Sequence, residues 1–249
     1  MFKNFQDTSR SQQFSGFPNL NFQMNNEAYG FSGCTFWLDA AYGLNTQTDL
    51  AAVSRWVDRV RNIPFEQATA GNQPRLQAAD VNFNNFPSVD FNSNARRLQA
   101  GQTFGMPMAV TIVIIGNRDS ANTRNTALAS STTNNNEITF GGTQVGVTGI
   151  GVYNAASPVI TSSIEDTAPH IALISSGTGD AEIVVDCVSQ VTGTWLPAVS
   201  YDSIGQSPSV GTATGFIGKI AEIIIFNNKL SSVDMIRLSG NINSKYAIY

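Results

Sequence analysis

The hydrophobic residues of this 249-residue chain fall mostly in short runs separated by Gly, Asn, Ser and Pro. Two runs, residues 109–115 and 220–226, are apolar at nearly every position, as expected for central strands covered on both faces. A shorter run, residues 87–91, alternates so that Val89 and Phe91 share one face. A regular succession of short strands and turns is typical of a β-sandwich.

Other segments have the composition of short strands, rich in β-branched and aromatic residues. They are residues 33–38, 138–140, 146–153, 171–175, 181–188 and 195–201. In contrast, residues 120–136 (SANTRNTALASSTTNNN) are mostly polar, and we interpret them as a long loop.

One helix is predicted near the end of the sequence. Residues 227–231 (NNKLS) favour a turn after the apolar run, and Ser231 and Asp234 have the spacing of a capping box. Four apolar residues then recur at helical spacing on one face: Met235, Leu238, Ile242 and Tyr246.

The beginning of the chain has a different character. Five of the fifteen Phe lie within the first 22 residues: Phe2, Phe5, Phe14, Phe17 and Phe22. A disordered tail is usually poor in aromatic residues. We therefore interpret residues 1–30 as an extended N-terminal arm that binds a surface through its Phe side chains, and residues 31–249 as one domain. That surface belongs either to a neighbouring protein or to the chain's own domain.

Composition and charge argue against two classes of partner. Charged residues make up 13% of the chain, about half the usual share, and the net charge is −4. Nucleic-acid binding needs clustered Lys and Arg, and the longest apolar run, residues 106–115, is too short to span a bilayer. We expect no nucleic-acid partner and no membrane. Without a recognisable secretion signal, Cys34 and Cys187 are interpreted as separate thiols, although their pairing stays open.

Six motifs, in this order, resemble the concanavalin A-like lectin/glucanase superfamily, in its laminin-G-like branch found in bacterial and phage proteins. They are FWLDA (36–40), V-x-x-W-x-D (53–58), NQPRL (72–76), FPSVDF (86–91), EIVVD (182–186) and GFIGKIAEIIIFNNKLS (215–231). Asn92 and Cys187 stand where the family usually has Asp-Gly and Gly. The resemblance implies an all-β, two-sheet antiparallel jelly-roll sandwich with one short C-terminal helix after the last core strand.

The same resemblance directs the search for catalytic residues. Glucanases of the superfamily carry two carboxylates on alternate residues of one strand. The nearest arrangement here is Asp180, Glu182 and Asp186, but its order and spacing differ from that pattern. The single histidine, His170, has no accompanying nucleophile motif and is interpreted as structural. We therefore predict no catalytic residue and no enzymatic activity.

Metal and cofactor sites are not expected, because the acidic residues are scattered. Asp39, Asp58 and Asp90 belong to the family motifs and are interpreted as residues that fix turns. The resemblance also suggests glycan binding through exposed aromatic side chains. Trp195 and Tyr201 are the candidates for stacking on a sugar, with the alternative that both fill the sandwich interior. Trp37 and Trp56 are assigned to the core.

These expectations combine into one functional hypothesis. The chain is predicted to be a non-enzymatic structural protein of a phage virion, a decoration, cement or fibre-type component located in the virion. Its partners would be other virion proteins, copies of itself and a cell-surface glycan. The alternatives are a free-standing carbohydrate-binding module or adhesin, and a glycoside hydrolase, which would need two carboxylates facing one groove about 5–9 Å apart.

Overall fold

The computed structural model describes residues 27–93, 95–119, 125–130, 137–140, 149–154, 157–195, 200–206 and 215–249. The five Phe of the predicted arm lie outside this part of the chain. Within it, no helix is long and apolar enough to cross a membrane.

The described residues form antiparallel strands and one α-helix. The strands are β1 (Glu27–Ala28), β2 (Phe31–Ser32), β3 (Cys34–Asp39), β4 (Arg55–Val57), β5 (Pro64–Glu66), β6 (Arg75–Asp80), β7 (Phe86–Asp90), β8 (Leu98–Gly105), β9 (Val110–Arg118), β10 (Thr126–Ala129), β11 (Glu137–Phe140), β12 (Ile150–Asn154), β13 (Ser157–Thr161), β14 (His170–Ser176), β15 (Ala181–Val185), β16 (Val188–Gly193), β17 (Ser200–Ile204) and β18 (Gly218–Phe226). Helix α1 spans Ser232–Tyr246, and two single 3-10 turns span Ala70–Asn72 and Val81–Phe83.

Two large sheets make the sandwich. Sheet I has the order β16-β15-β14-β9-β18-β7-β6, and β3 pairs with β18 beyond the end of β7. Sheet II has the order β13-β12-β11-β10-β17-β8-β5-β4, and β1 and β2 form a separate hairpin. The predicted two-sheet antiparallel sandwich with one C-terminal helix is confirmed.

The apolar pattern of the central strands explains why two layers pack on sheet I. In β9, Ile112 and Ile114 join the core between the sheets, whereas Val113 and Ile115 join a second core under α1. Successive side chains of a strand point to opposite faces. An apolar residue at every position is therefore what a strand buried on both sides requires, as the sequence predicted.

The N-terminus of α1 also follows the sequence prediction. The Ser231 hydroxyl accepts a hydrogen bond from the Asp234 backbone N–H at 3.2 Å and donates one to the Asp234 carboxylate at 2.8 Å. The apolar face predicted for this helix, beginning with Met235, is buried. Cys34 and Cys187 are free thiols, as predicted.

The long loop predicted for residues 120–136 is wrong in one part. Residues Thr126–Ala129 form β10, which lies inside sheet II between β11 and β17, and all four are buried. The strand is short, and two of its four residues are Ala, so it has almost none of the β-branched and aromatic content that marks a strand in sequence. Its pairing on both sides stabilises it instead.

Candidate functional site

The first candidate site lies where β3 ends in a tight turn. The Asp39 carboxylate accepts a hydrogen bond from the Ala41 backbone N–H at 2.9 Å, and the Tyr42 N–H donates to the Asp39 carbonyl at 2.8 Å. Gly43 follows with φ of 76°, and a Cβ there would lie 2.5 Å from the Val57 carbonyl oxygen. Only Gly fits that position. The turn therefore holds Tyr42 beside β4 with 58% of its surface exposed.

Arg59 and Trp37 form a stack beneath the Tyr42 ring. The guanidinium carbon of Arg59 lies 4.6 Å from the Tyr42 ring centroid and 4.4 Å from that of Trp37. Its Nη1 atom lies 2.6 Å from Oδ2 of Asp39. Trp37 is only 4% exposed, so the stack opens to solvent at Tyr42. We call Tyr42, Arg59 and Asp39 the Tyr42 platform.

Asp58 shapes the loop that carries Arg59. Its buried carboxylate accepts hydrogen bonds from the backbone N–H groups of Trp37 at 2.6 Å, Val60 at 3.2 Å and Arg61 at 2.6 Å. Burial raises the pKa of Asp58, and these three donors oppose that rise by stabilising the charged form. Asp58 therefore fixes a turn, as the sequence predicted, and aims Arg59 back across Trp37.

A fully buried carboxylate, that of Glu222 on β18, anchors the base of the stack. Its Oε2 atom accepts a hydrogen bond from Trp37 Nε1 at 3.0 Å. Its Oε1 atom accepts from the hydroxyls of Tyr29 at 2.8 Å and Tyr246 at 2.5 Å, and from Lys245 Nζ at 2.5 Å. Four donors to two oxygens require the ionised carboxylate, because a protonated acid would have to donate one of these bonds.

The electrostatics of this cluster are strongly coupled. Burial raises the pKa of Glu222, and Lys245 acts against that rise. Burial by itself would lower the pKa of Lys245, but Glu222 and Asp39 outweigh it and raise that pKa. Burial, followed by the nearby Glu222 charge, keeps the pKa of Tyr29 and Tyr246 well above the usual value. Both hydroxyls therefore stay protonated and can donate.

A second cluster lies at the start of β14. His170 Nδ1 lies 2.6 Å from Asp186 Oδ2, and His170 Nε2 lies 2.8 Å from Asp166 Oδ1. Asp186 also accepts the Ile171 backbone N–H at 2.9 Å, and Arg118 Nε donates to the Asp166 carbonyl at 2.9 Å. Burial would lower the pKa of His170, but the two carboxylates outweigh it and raise that pKa. The cluster ties a loop to the β15–β16 turn, which fits the structural role predicted for His170.

Sheet II carries two further buried carboxylates. Ile138 and Phe140 of β11 join the core between the sheets, so Glu137 points to the opposite face of sheet II. Its Oε2 atom accepts a hydrogen bond from the Thr126 hydroxyl at 3.1 Å. Asp202 is buried on β17, which β10 separates from β11. The backbones of the two acidic residues are thus two strand spacings, about 10 Å, apart.

The two aromatic residues proposed for glycan stacking are not exposed. Trp195 is 2% exposed and Tyr201 is 0% exposed, and both join the core between the sheets. Burial raises the pKa of Tyr201, and the nearby Glu137 charge raises it further. The alternative interpretation, that both rings fill the sandwich, describes their positions. Trp37 and Trp56 are also buried, Trp56 between the sheets and Trp37 in the second core under α1.

The three acids weighed as a catalytic arrangement have separate partners. Asp180 forms an ion pair with Lys229 at the surface. Glu182 accepts hydrogen bonds from two serine hydroxyls, at 2.8 Å and 2.5 Å, and Asp186 binds His170. Within the described ranges, no group of three or more His, Cys, Asp or Glu side chains is placed to hold a metal ion.

Tyr42 is the site residue that sequence reasoning missed. It lies two residues after the FWLDA motif, in a chain with six Tyr. The Asp39–Gly43 segment has the residues of a tight turn, which places side chains at the surface. The turn composition indicated that Tyr42 is exposed. Its contact with Arg59, however, depends on a loop almost twenty residues later.

No protein-family profile matches the chain, and no curated protein sequence matches it. Solved structures do resemble it. Domain 4 of AbnA, a GH43 extracellular arabinanase from Geobacillus stearothermophilus, in complex with arabinotriose, has a TM-score of 0.59 and 13% identity over 83% of this chain and 98% of that one. An arabinofuranosidase complexed with arabinofuranosyl-α-1,2-xylobiose has a TM-score of 0.63 and 14% identity over 87% and 60%. Trypanosoma rangeli sialidase has a TM-score of 0.56 and 15% identity over 87% and 34%.

These likenesses show the fold, a β-sandwich of the jelly-roll type that also occurs in carbohydrate-active proteins. The chain spans nearly all of the arabinanase domain but about 60% of the arabinofuranosidase chain and about a third of the sialidase. The predictions of a structural virion protein and of a chain without enzymatic activity are wrong on this finding, because the matched structures named here are glycoside hydrolase and sialidase chains. The expected partners and location stay untested predictions.

Replacing Glu222 with Gln should lower the free energy of unfolding by about 3–5 kcal/mol, because the buried Lys245 cation would keep only the more distant Asp39 carboxylate, at 3.9 Å. Urea titration at pH 7 measures the change. Glu66→Gln is the matched control, since the Arg55–Glu66 pair is exposed, at 52% and 60% of its side-chain surfaces, and such pairs contribute less than about 1 kcal/mol. Equal losses in the two variants would contradict the anchoring role of Glu222.

His170 should make stability depend on pH. Its folded-state pKa is raised above the reference value of 6.5, so its contribution is fully present below that pH and is lost as pH rises through the folded-state pKa. His170→Gln should cost about 1.5–3 kcal/mol at pH 6, typical of hydrogen bonds to charged groups, and less at pH 9.

Urea titrations of both proteins between pH 5 and 9 provide the test. His170 is the only histidine, so the difference in stability between the two proteins should shrink from pH 6 to pH 9. A variant that is equally destabilised at pH 6 and pH 9 would show that His170 acts by packing alone.

Proposed function

We propose that this sandwich is a carbohydrate-binding domain of the laminin-G-like kind, and that the Tyr42 platform is its primary sugar contact. The observation that carries the proposal is the half-exposed Tyr42 ring, fixed by a tight turn and supported from below by Arg59. Tyr42 and Tyr249 are the aromatic side chains with more than a third of their surface exposed among the described residues.

The platform offers both chemistries that a sugar presents. One face of a sugar ring is largely C–H, and it packs on an aromatic ring, which has a large apolar surface and a polar tip. The hydroxyl groups at the rim of the sugar need hydrogen-bond partners, and ionised groups supply the stronger ones. Arg59 places a guanidinium beside the Tyr42 ring, and the buried Asp39 carboxylate holds that guanidinium in position.

A rigid platform also limits the entropy lost on binding. The stack rests on Trp37, whose indole N–H is held by Glu222 and whose backbone N–H is held by Asp58.

The likeness to the arabinanase domain supports a choice of ligand. That separate domain was solved in complex with arabinotriose, and the match covers 98% of it. Short arabino-oligosaccharides are therefore the first ligands to test.

Tyr42→Ala should weaken arabinotriose binding at least about tenfold, or about 1.4 kcal/mol, because the stacking surface is removed. Isothermal titration calorimetry on the full chain measures it. Tyr249→Ala is the matched control, since Tyr249 is also half-exposed, at 50%, but lies beyond α1, and it should bind like the wild type. Equal binding by all three proteins would place the sugar elsewhere. If arabinotriose does not bind at all, a wider glycan panel decides whether the domain binds sugars.

Glycoside hydrolysis is a second candidate function, favoured by Glu137 and Asp202 on sheet II. Catalytic carboxylate pairs of these enzymes are roughly 5–9.5 Å apart, and the backbones of these two residues are two strand spacings apart. Both residues are buried.

The second function predicts release of 4-nitrophenol from 4-nitrophenyl α-L-arabinofuranoside. Glu137→Gln and Asp202→Asn should each lower the rate by about 10²–10⁴, the usual contribution of a positioned acid or base. Glu66→Gln, on β5 of the same sheet, is the control and should retain full activity. A wild-type rate equal to the uncatalysed rate, or activity that survives both substitutions in folded protein, would eliminate this candidate.

A further inference from the structure

The outer side of α1 leaves an apolar surface exposed. Val233 is 73% exposed, Ile236 39% and Tyr249 50%. They are three of the eight large apolar side chains that are exposed in the described part of the chain. We call these three residues the helix patch. Single exposed apolar residues are normal, but a group of them often marks a binding surface.

Hydrogen bonds hold the helix patch together. Val233 and Ile236 are three residues apart on α1 and therefore adjacent on its surface. The Cys187 thiol lies 3.3 Å from the Ile236 carbonyl and 2.7 Å from the Tyr249 hydroxyl. The Ser239 hydroxyl lies 3.1 Å from the same Tyr249 oxygen. The Tyr249 ring is thus fixed next to the helix and extends the apolar surface.

The described chain begins beside this same helix. The Asn241 side-chain amide donates to the Tyr29 carbonyl at 3.1 Å, and the Arg237 guanidinium lies 4.8 Å from the Phe31 ring centroid. The β1–β2 hairpin therefore packs along α1. Whatever precedes Glu27 leaves the domain next to α1, the helix that carries Val233 and Ile236.

The sequence before Glu27 is rich in apolar residues that could pack on the helix patch. It contains five Phe, and its charged residues are Lys3, Asp7 and Arg10, whereas the chain as a whole carries a net charge of −4. Phe22 is five residues before Glu27, so an extended chain reaches about 17 Å. Helix α1 has fifteen residues and is about 22 Å long. Reach therefore does not limit contact with the helix patch.

We propose that residues 1–26 bind the helix patch of their own chain, with Phe side chains covering Val233, Ile236 and Tyr249. The tether favours this occupant over a second copy, because a short linker raises the effective concentration to the millimolar range. Burial of the three apolar side chains, at roughly 25 cal/mol per Å² of area removed from water, supplies the driving force. Val233 lies at the start of α1, whereas Lys245, which approaches Asp39 of the Tyr42 platform to 3.9 Å, lies in its last turn.

Photo-crosslinking on the full chain tests this contact. p-Benzoylphenylalanine introduced at position Val233 should crosslink to peptides from residues 1–26 within a monomer, as mapped by mass spectrometry. The same group at position Leu50, which is 53% exposed on the loop before β4, is the matched control and should give no such peptide.

A second full-length protein replaces Phe14, Phe17 and Phe22 with Ser and keeps the crosslinker at position Val233. The yield of the crosslinked N-terminal peptide should fall about tenfold, as expected for the loss of about 1.4 kcal/mol. Crosslinks between two copies would show that a second molecule occupies the patch. An unchanged yield after the Ser substitutions, or no crosslink to residues 1–26, would overturn the proposal.

Discussion

The buried carboxylate of Glu222 is the interaction on which the candidate site and its surroundings depend. It accepts hydrogen bonds from the β1–β2 hairpin, from β3 and twice from α1. A carboxylate without exposed surface is stable only when donors and a cation replace the water that it has lost. Because the four donors come from three separate parts of the chain, satisfying one charge also fixes the hairpin, the strand and the helix relative to β18.

The effect extends to the surface through Trp37. Glu222 holds the indole N–H, the indole ring supports Arg59, and Arg59 supports Tyr42. The polar tips of Trp37 and Arg59 are bound to carboxylates, so these two side chains have few alternative rotamers. Such positioning distinguishes an exposed aromatic ring that is held ready for a ligand from one that is exposed only because nothing packs over it. The fold is shared with solved chains at 12–16% identity, and the proposed site rests on side chains of this chain.

The sequence predicted those elements whose own residues indicate how they are buried or capped. Continuous apolar runs gave β9 and β18, and Ser231 with Asp234 gave the start of α1. It failed for β10, where the strand is stabilised by neighbours far away in sequence. It also placed Trp195 among exposed candidates and overlooked Tyr42, because the exposure of an aromatic ring is decided by which strands pack over it. Periodicity along one strand carries no information on that packing.

The position of β18 in sheet I has a consequence for how the chain acquires its structure. The last strand lies at the centre of its sheet, hydrogen-bonded to β9 and to β3, and the Tyr29–Glu222 contact joins residues 193 positions apart. Sheet I therefore cannot be completed until almost the whole described chain is available to pair. Folds dominated by such distant pairings form slowly, on timescales of about milliseconds to seconds. During that interval the apolar faces of β9 and β14 are open to water, so collisions with other unfinished chains compete with folding.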